Sequence, residues 1–284
     1  MTTDDRVLFD VDRDKRIATI TLNNPRQRNS YDAAMRETLG RYLDQVAEDD
    51  DITVVLLRGA EGVFSTGADM NNAYAWYGDK DSPQAKRRPS QRRRLTVDRK
   101  SFGFYHNFMG FPKVSGYALG GGFEMALMTD ISVIARDTKI GMPATRFLGP
   151  ALGSLHMFFH RLGPVLARRL LLTGDIIEAG TVEHLGVFTE TVAPEKVTAR
   201  ARYWAEKAAK MPADGVVIAK EAFRLVEQSQ AYQGEEVASY LFHAFGTNLQ
   251  FAEGEFNFVK TRARHGTKEA FRLRDEHFHV PEPE

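Results

Sequence analysis

Apolar positions near the start of the chain follow two rhythms. Val7-Leu8-Phe9 and Ile17-Ala18-Thr19-Ile20-Thr21-Leu22 are short β-type runs. The break at Asn23-Asn24-Pro25 predicts a turn. Met35, Leu39, Tyr42, Leu43 and Val46 then recur at helical spacing, which predicts a helix from Tyr31 to Ala47 with Ser30 as N-cap. The unbroken run Thr53 to Gly59 predicts a buried strand. A strand is expected from Val114 to Ala118, then a turn at Gly120-Gly121-Gly122, then a short helix with Glu124 in its first turn. Asp130 to Ala135 reads as another strand. Gly163-Pro164 opens a helix ending near Gly174, with proline at an acceptable early position. A helix from Glu178 to Leu185 and a strand from Val187 to Val192 follow. Beyond Pro194 the pattern is helical: Ala201, Trp204, Ala205 and Ala208 share one face, as do Ile218, Ala222, Leu225 and Val226. Alternating strand, turn and helix predicts an α/β class, with a helical subdomain beginning at residue 194.

Composition narrows the classes. A chain of 284 residues buries a substantial core in one domain, with room for a smaller appendage. Lys+Arg and Asp+Glu both number 38, so no global charge draws the chain to nucleic acid. There is no cysteine, which excludes a disulfide framework and thiolate metal sites and fits an intracellular protein. Met1 to Arg6 carry no apolar signal-peptide core. No apolar run approaches the ~20 residues that cross a bilayer. A soluble globular protein is expected. Residues 71–101 stand apart: Lys86, Arg87, Arg88, Arg92, Arg93, Arg94, Arg99 and Lys100 gather there with Pro83 and Pro89. The plain reading is a solvated loop leading into a helix.

The candidate chemistry starts at the glycine turn. Successive glycines admit positive φ and let backbone approach a ligand closely. The helix start leaves N–H groups without intrahelical partners. Such a place suits a developing negative charge, with Glu124 beside it as acid or base. The spacing is not that of a dinucleotide fingerprint, and the Lys-Ser/Thr of a phosphate loop is missing. Taken alone, a glycine run is usually a turn, and a first-turn glutamate usually a surface residue. A second stretch changes the balance: Gly62-Val63-Phe64-Ser65-Thr66-Gly67-Ala68-Asp69-Met70. Together with Gly116-Tyr117-Ala118-Leu119-Gly120-Gly121-Gly122-Phe123-Glu124-Met125-Ala126-Leu127-Met128-Thr129-Asp130, it resembles the crotonase (enoyl-CoA hydratase/isomerase) superfamily. The resemblance continues at Asn24-Pro25 through Asn29, at Leu172-Thr173-Gly174 with Glu178-Ala179, and at Glu269-Ala270-Phe271.

That resemblance implies a spiral of ββα units over residues 1–193, with 71–101 as an enlarged basic insertion. It implies a C-terminal helical oligomerisation subdomain over 194–284 that assembles homotrimers or hexamers. The implied substrate is an acyl-CoA thioester whose carbonyl lies between the N–H groups of Ala68 and Gly121. No metal is implied, and no cofactor beyond coenzyme A as part of the substrate. Glu124 matches the first of two hydratase glutamates. Ala144, in Gly141-Met142-Pro143-Ala144, stands where the second belongs. Alanine cannot exchange a proton, so a two-carboxylate hydration mechanism is incomplete. An enoyl-CoA hydratase-like enzyme remains expected, with acyl-CoA decarboxylase, isomerase or C–C hydrolase as alternatives.

His156 could supply the lost acid–base group or simply pack on its helix. Arg26, Asp69, Met70 and Phe271 are weaker candidates for contacts around substrate and coenzyme A. Phe242, Phe245, Phe251, Phe256 and Phe258 could line an acyl pocket; core or subunit interface is their plainer reading. The basic run is read first as a loop, second as a partner for coenzyme A phosphates, and third as an RNA contact. The last would make the chain a non-catalytic RNA-binding homologue. A cytoplasmic role in fatty acid metabolism is expected, without membrane or nucleic-acid partners.

Overall fold

The computed structural model describes residues 4–70, 95–96, 111–148, 155–227, 229 and 251–281. Strands β1 (Val7–Asp12) and β2 (Ile17–Leu22) form an antiparallel hairpin, with Val7 opposite Leu22 and Asp12 opposite Ile17. The chain then forms helix α1 (Ala33–Ala47), strand β3 (Val54–Gly59), strands β4 (Phe111–Val114) and β5 (Tyr117–Leu119), and helix α2 (Gly121–Leu127). Strands β6 (Val133–Ala135) and β7 (Lys139–Gly141) lead to α3 (Thr145–Leu148), α4 (Leu155–Thr173) and β8 (Ile176–Glu178). A 3-10 turn over Ala179–Leu185 precedes β9 (Glu190–Val192). Among the described residues the helices that follow are α5 (Val197–Ala209), α6 (Ala213–Glu227), α7 (Phe258–His265) and α8 (Thr267–His277).

The strands form two sheets. The larger has the order β1-β2-β3-β4-β6-β9 and the smaller β5-β7-β8. Apart from the β1–β2 hairpin, every pair in the larger sheet is parallel. In the smaller sheet β5 and β7 are parallel, and β8 is antiparallel to β7. Period-two alternation explains the layering. Ala18, Ile20, Leu22, Val55, Leu57, Val114 and Ile134 point into one core with Ala118 and Ile140 of the smaller sheet. Ile17 and Val54 point the other way, onto Ala205 and Ala209, and Val133 and Ala135 pack on Val197 and Ala201. Helix α5 therefore roofs the larger sheet, even though it lies past residue 194.

Several local expectations change. The strand foreseen from Val114 to Ala118 is two strands in different sheets. Gly116 sits between them at φ +67°, and a Cβ there would come 2.6 Å from the Gly62 carbonyl oxygen. The N-cap of α1 is Asp32, whose side chain accepts from the Met35 N–H at 3.1 Å. Ser30 cannot serve because Tyr31 is held extended in a parallel bridge to Ala68. The helix expected to open at Gly163-Pro164 begins at Leu155; Gly163, at φ 70° and ψ 161°, kinks it in the middle. The expected helix over Glu178–Leu185 is a 3-10 turn, and the strand expected from Val187 shrinks to Glu190–Val192. Strand β7 had no recognised signal, since Lys139-Ile140-Gly141 is too short to show a period. Most of the basic insertion over 71–101 lies outside the described residues, as do Phe242, Phe245 and the Gly149–Ser154 segment.

Candidate active site

Two loops meet at the edge where the sheets join. The first, Phe64 to Met70, is fixed from below by Asn29. That side chain is fully buried, and its amide donates to the Ala60 carbonyl at 2.9 Å and the Val63 carbonyl at 2.6 Å. Its carbonyl oxygen accepts from the Asn24 N–H at 2.8 Å. Asn29 adopts φ 55°, a left-handed conformation that asparagine tolerates better than most residues. The buried Ser65 hydroxyl donates to the Asn29 carbonyl at 2.8 Å and accepts from the Gly67 N–H at 3.0 Å. Ser65 also joins Ala118 in a parallel bridge. The Asn-Pro segment is thus the footing of the Ser-Thr-Gly-Ala-Asp loop.

The second loop is Leu119 to Gly122, at the end of β5. Gly120, at φ 55° and ψ −128°, precedes α2, and its carbonyl accepts from the N–H groups of Phe123 and Glu124 at 2.9 and 3.0 Å. The two loops touch without room for a methyl group. A Cβ on Gly67, at φ +85°, would lie 2.7 Å from the Leu119 carbonyl oxygen and 2.9 Å from the Gly121 nitrogen. A Cβ on Gly122 would lie 2.5 Å from the Ser65 carbonyl oxygen. These contacts require glycine at both positions.

Ala68 and Gly121 are thereby neighbours across the junction. In the bridge with Tyr31, the Gly67 carbonyl and the Asp69 N–H are the groups used, both at 2.9 Å. Successive amides of an extended chain face opposite sides, so the Ala68 N–H faces away from Tyr31. Gly121 is the first residue of α2, where no carbonyl four residues back is available. Among the described residues neither N–H donates to a backbone carbonyl. Ala68 is exposed and Gly121 half-buried.

Glu124 lies in the first turn of α2, 5% exposed, between the buried Phe123 and Met125. Strands β5 and β7 run parallel, with Leu119 beside Gly141 and the Gly120 N–H donating to the Gly141 carbonyl at 3.0 Å. Glu124 follows the end of one strand and Ala144 the end of the other, so both belong to the same rim. Ala144 is half-buried and packs against both the main core and a cluster built on Phe258 and Ala270.

The remaining sequence candidates are more scattered. Asp69 is buried next to Ala68. Met70 joins the Phe258 cluster, and its carbonyl accepts from the Arg262 guanidinium. Phe271, on α8, lies tilted against Phe258 with ring centres 5.0 Å apart, and the Arg274 guanidinium is 4.8 Å from its ring centre. Arg26 is exposed on the turn Pro25–Gln27. His156 is half-buried in the first turn of α4, its ring stacked on His160 at 5.7 Å. Burial lowers its pKa, and His160 adds to the effect. Helix α4 meets α2 through Phe158, edge-on to Phe123 at 5.6 Å. His156 and His160 are each two residues from Phe158, hence about 200° round the helix from the face that meets α2. Sequence reasoning passed over Arg262. Its partner is a backbone carbonyl far along the chain, and no local pattern announces such a contact.

Among the described residues no group of three or more acidic or imidazole side chains is placed to hold a metal ion. No helix among them is long and apolar enough to cross a membrane. The geometry defines a class: an α/β protein whose two loops present backbone donors beside a buried carboxylate.

Comparison with known proteins places that class. The enoyl-CoA hydratase/isomerase family model matches residues 12–268, and the chain belongs to that family. It is 29% identical over 262 residues to the Mycobacterium bovis protein named "Probable enoyl-CoA hydratase echA8", spanning 89% of this chain and 95% of that one. It is 27% identical over 256 residues to the 1,2-epoxyphenylacetyl-CoA isomerase of Escherichia coli, spanning 88% of this chain and 94% of that one. The crystal structure of an enoyl-CoA hydratase from Mycobacterium smegmatis superposes with a TM-score of 0.81 at 27% identity, covering 95% of this chain and 93% of that one. The fold is therefore the α/β crotonase fold, two sheets with C-terminal helices, as expected.

Proposed function

We propose that the chain is an enoyl-CoA hydratase-like enzyme that holds an acyl-CoA thioester carbonyl between the N–H groups of Ala68 and Gly121. Charge developing on the thioester oxygen as an enolate forms is stabilised there; one such donor is worth about 2.7–4 kcal/mol. Glu124 moves the proton. The observation that supports this reading is the close contact of the two loops at Gly67 and Gly121, with the buried Glu124 three residues further along. Asp69, Met70, Arg26 and Phe271 contribute weaker contacts around the substrate, and coenzyme A enters as part of it.

With Ala144 in place of a second carboxylate, the reaction runs on one acid–base group. Proton transfer at the α or γ carbon, decarboxylation and C–C cleavage share that requirement, and hydration is the slow member of the set. His156 is assigned to packing, because its helix face is turned from the one that meets α2. Val217, Ile218, Phe223, Leu225 and Val226 of α6 are exposed; together with the family resemblance they support assembly into a trimer or a dimer of trimers through the C-terminal helices beyond residue 194.

The test is exchange of α-protons of butyryl-CoA in heavy water, followed by NMR, alongside hydration of crotonyl-CoA. Exchange that depends on Glu124, with hydration slow or missing, is the expected result. Absence of both α-proton exchange and affinity for coenzyme A thioesters would overturn the assignment.

A further inference from the structure

The rim position held by Ala144 is not an empty place left by a missing carboxylate. Ala144 is in contact there with a continuous apolar surface. Phe258 and Ala270, both fully buried, form its base, and the half-buried Met70, Ala144, Phe256 and Phe271 lie over them. Met70 comes two residues after Ala68, and Ala144 comes three residues after Gly141, the neighbour of Leu119. The surface therefore starts at one oxyanion-hole loop and ends on the rim beside the other.

Its base, Phe258 and Ala270, and one overlying ring, Phe271, come from the chain's own C-terminal hairpin, α7 and α8, with Phe256 just before it. That hairpin is tied in place at both ends of the surface. Arg262 of α7 donates to the Met70 carbonyl. Arg146, two residues after Ala144, pairs with Asp275 of α8 at 4.0 Å.

The polar side chains nearby are turned to other work. The Thr145 hydroxyl donates to the Leu171 carbonyl at 2.9 Å. Arg146 donates to the Thr173 carbonyl at 3.0 Å and pairs with Asp175 at 3.6 Å. Arg274 bonds to Asp275 at 2.8 Å and covers the Phe271 ring. No cation among these is left to receive a carboxylate at the end of the acyl chain, and water on this wall would meet methyl, thioether and ring carbons. Half-buried apolar surface next to a site favours an apolar ligand.

Resting on the oxyanion-hole reading above, we infer that Met70, Ala144, Phe256 and Phe271, seated on Phe258 and Ala270, form the acyl wall of the site and select thioesters with an uncharged hydrocarbon or aryl acyl group over those ending in a carboxylate. Phe271 then acts on the acyl group, and the hairpin is a determinant of specificity supplied by the same chain.

Calorimetric titration of the full chain with unreactive thioethers tests this: free coenzyme A, S-butyl-CoA, S-benzyl-CoA and S-(3-carboxypropyl)-CoA. Each methylene buried adds about fourfold in affinity. S-butyl-CoA and S-benzyl-CoA are expected at least about tenfold tighter than both free coenzyme A and the carboxyl analogue. Ala144→Asp should lower the butyl-to-carboxypropyl ratio while affinity for free coenzyme A stays the same, and Phe271→Ala should separately lower that ratio. The comparison among ligands on the unmodified chain stands even if a variant fails to fold. If coenzyme A binds but the hydrocarbon tail adds nothing, or the carboxyl analogue binds best, the wall is wrong and the oxyanion-hole reading survives. If no coenzyme A compound binds, both fall together.

Discussion

Replacing Gly67 with alanine tests the junction of the two loops directly. Two costs can be read from the geometry. The backbone at Gly67 has φ +85°, and holding an L-residue in left-handed space costs about 1–2 kcal/mol. The added Cβ also lands 2.7 Å from the Leu119 oxygen and 2.9 Å from the Gly121 nitrogen, where ordinary contact begins at 3.4 Å. Both obstacles are backbone atoms, one at the end of β5 and one at the start of α2, so a rotamer change cannot relieve them. The loops must part by several tenths of an ångström, and they part at the two N–H groups. Losing one donor of such a pair costs about 2.7–4 kcal/mol, or roughly 10²–10³ in rate. Gly62→Ala is the control, because Gly62 has a similar φ of +74° with nothing within 4 Å of the new Cβ. That variant bears the backbone strain alone. Urea denaturation should show both variants weakened and Gly67→Ala weakened more. Butyryl-CoA α-proton exchange should fall by about 10² or more in Gly67→Ala and stay near the parent rate in Gly62→Ala. A folded Gly67→Ala that exchanges at the parent rate would refute the reasoning, because it would place the donors elsewhere.

Other expectations follow from the same geometry. Glu124→Gln should keep the fold and the affinity for S-butyl-CoA while losing about 10²–10⁴ in exchange rate; a shift in affinity alone would assign Glu124 to binding. Asn29→Ala removes an amide that two carbonyls and one N–H depend on. With about 1 kcal/mol for each bond and more for buried groups left unsatisfied, urea denaturation should show a loss of about 3 kcal/mol or greater; a loss within experimental error would show that the turn holds itself. His156 is held below its ordinary pKa chiefly by burial. The unfolded chain therefore binds that proton more readily, so its contribution to stability is present above the ordinary histidine pKa and is lost as pH falls below it. His156→Gln should flatten the stability-versus-pH curve on the acid side of neutrality and leave the exchange rate in place. A large fall in exchange would make His156 a proton carrier.

How much of this could be read from the sequence depended on how local each signal was. The sheet strands Ile17–Leu22 and Val54–Gly59 were legible because one long apolar run each carries the pattern. The glycine turn and the Ser-Thr-Gly-Ala-Asp loop were legible as a pair, since backbone chemistry demands glycines that side chains cannot replace. The two-sheet division was not. Gly116 turns the chain from one sheet to the other, yet in sequence it interrupts nothing apolar. Lys139–Gly141 has too few residues for a period, although its pairing with β5 is what puts Ala144 and Glu124 on one rim. Helix α1 is capped by Asp32 instead of Ser30 because Tyr31 is bridged to Ala68, and that partner lies beyond any local window.

Ala144 shows the difference between a missing residue and a replaced environment. Sequence supplies the missing carboxylate and nothing about what took its place. The neighbours that give the alanine its meaning, Met70, Phe258, Ala270 and Phe271, come from both ends of the chain and meet only in the fold. An alanine facing solvent would leave a vacancy that glutamate could refill. An alanine set against rings and a thioether is part of a wall, and a carboxylate placed there loses solvation without gaining a partner, because Arg146 is already committed to Asp175 and Asp275. Ala144→Glu should therefore cost stability in urea denaturation and weaken S-butyl-CoA binding without raising crotonyl-CoA hydration. A variant that gained hydration at parent stability would show that the wall has room for water after all, and that the chain is a hydratase lacking one group.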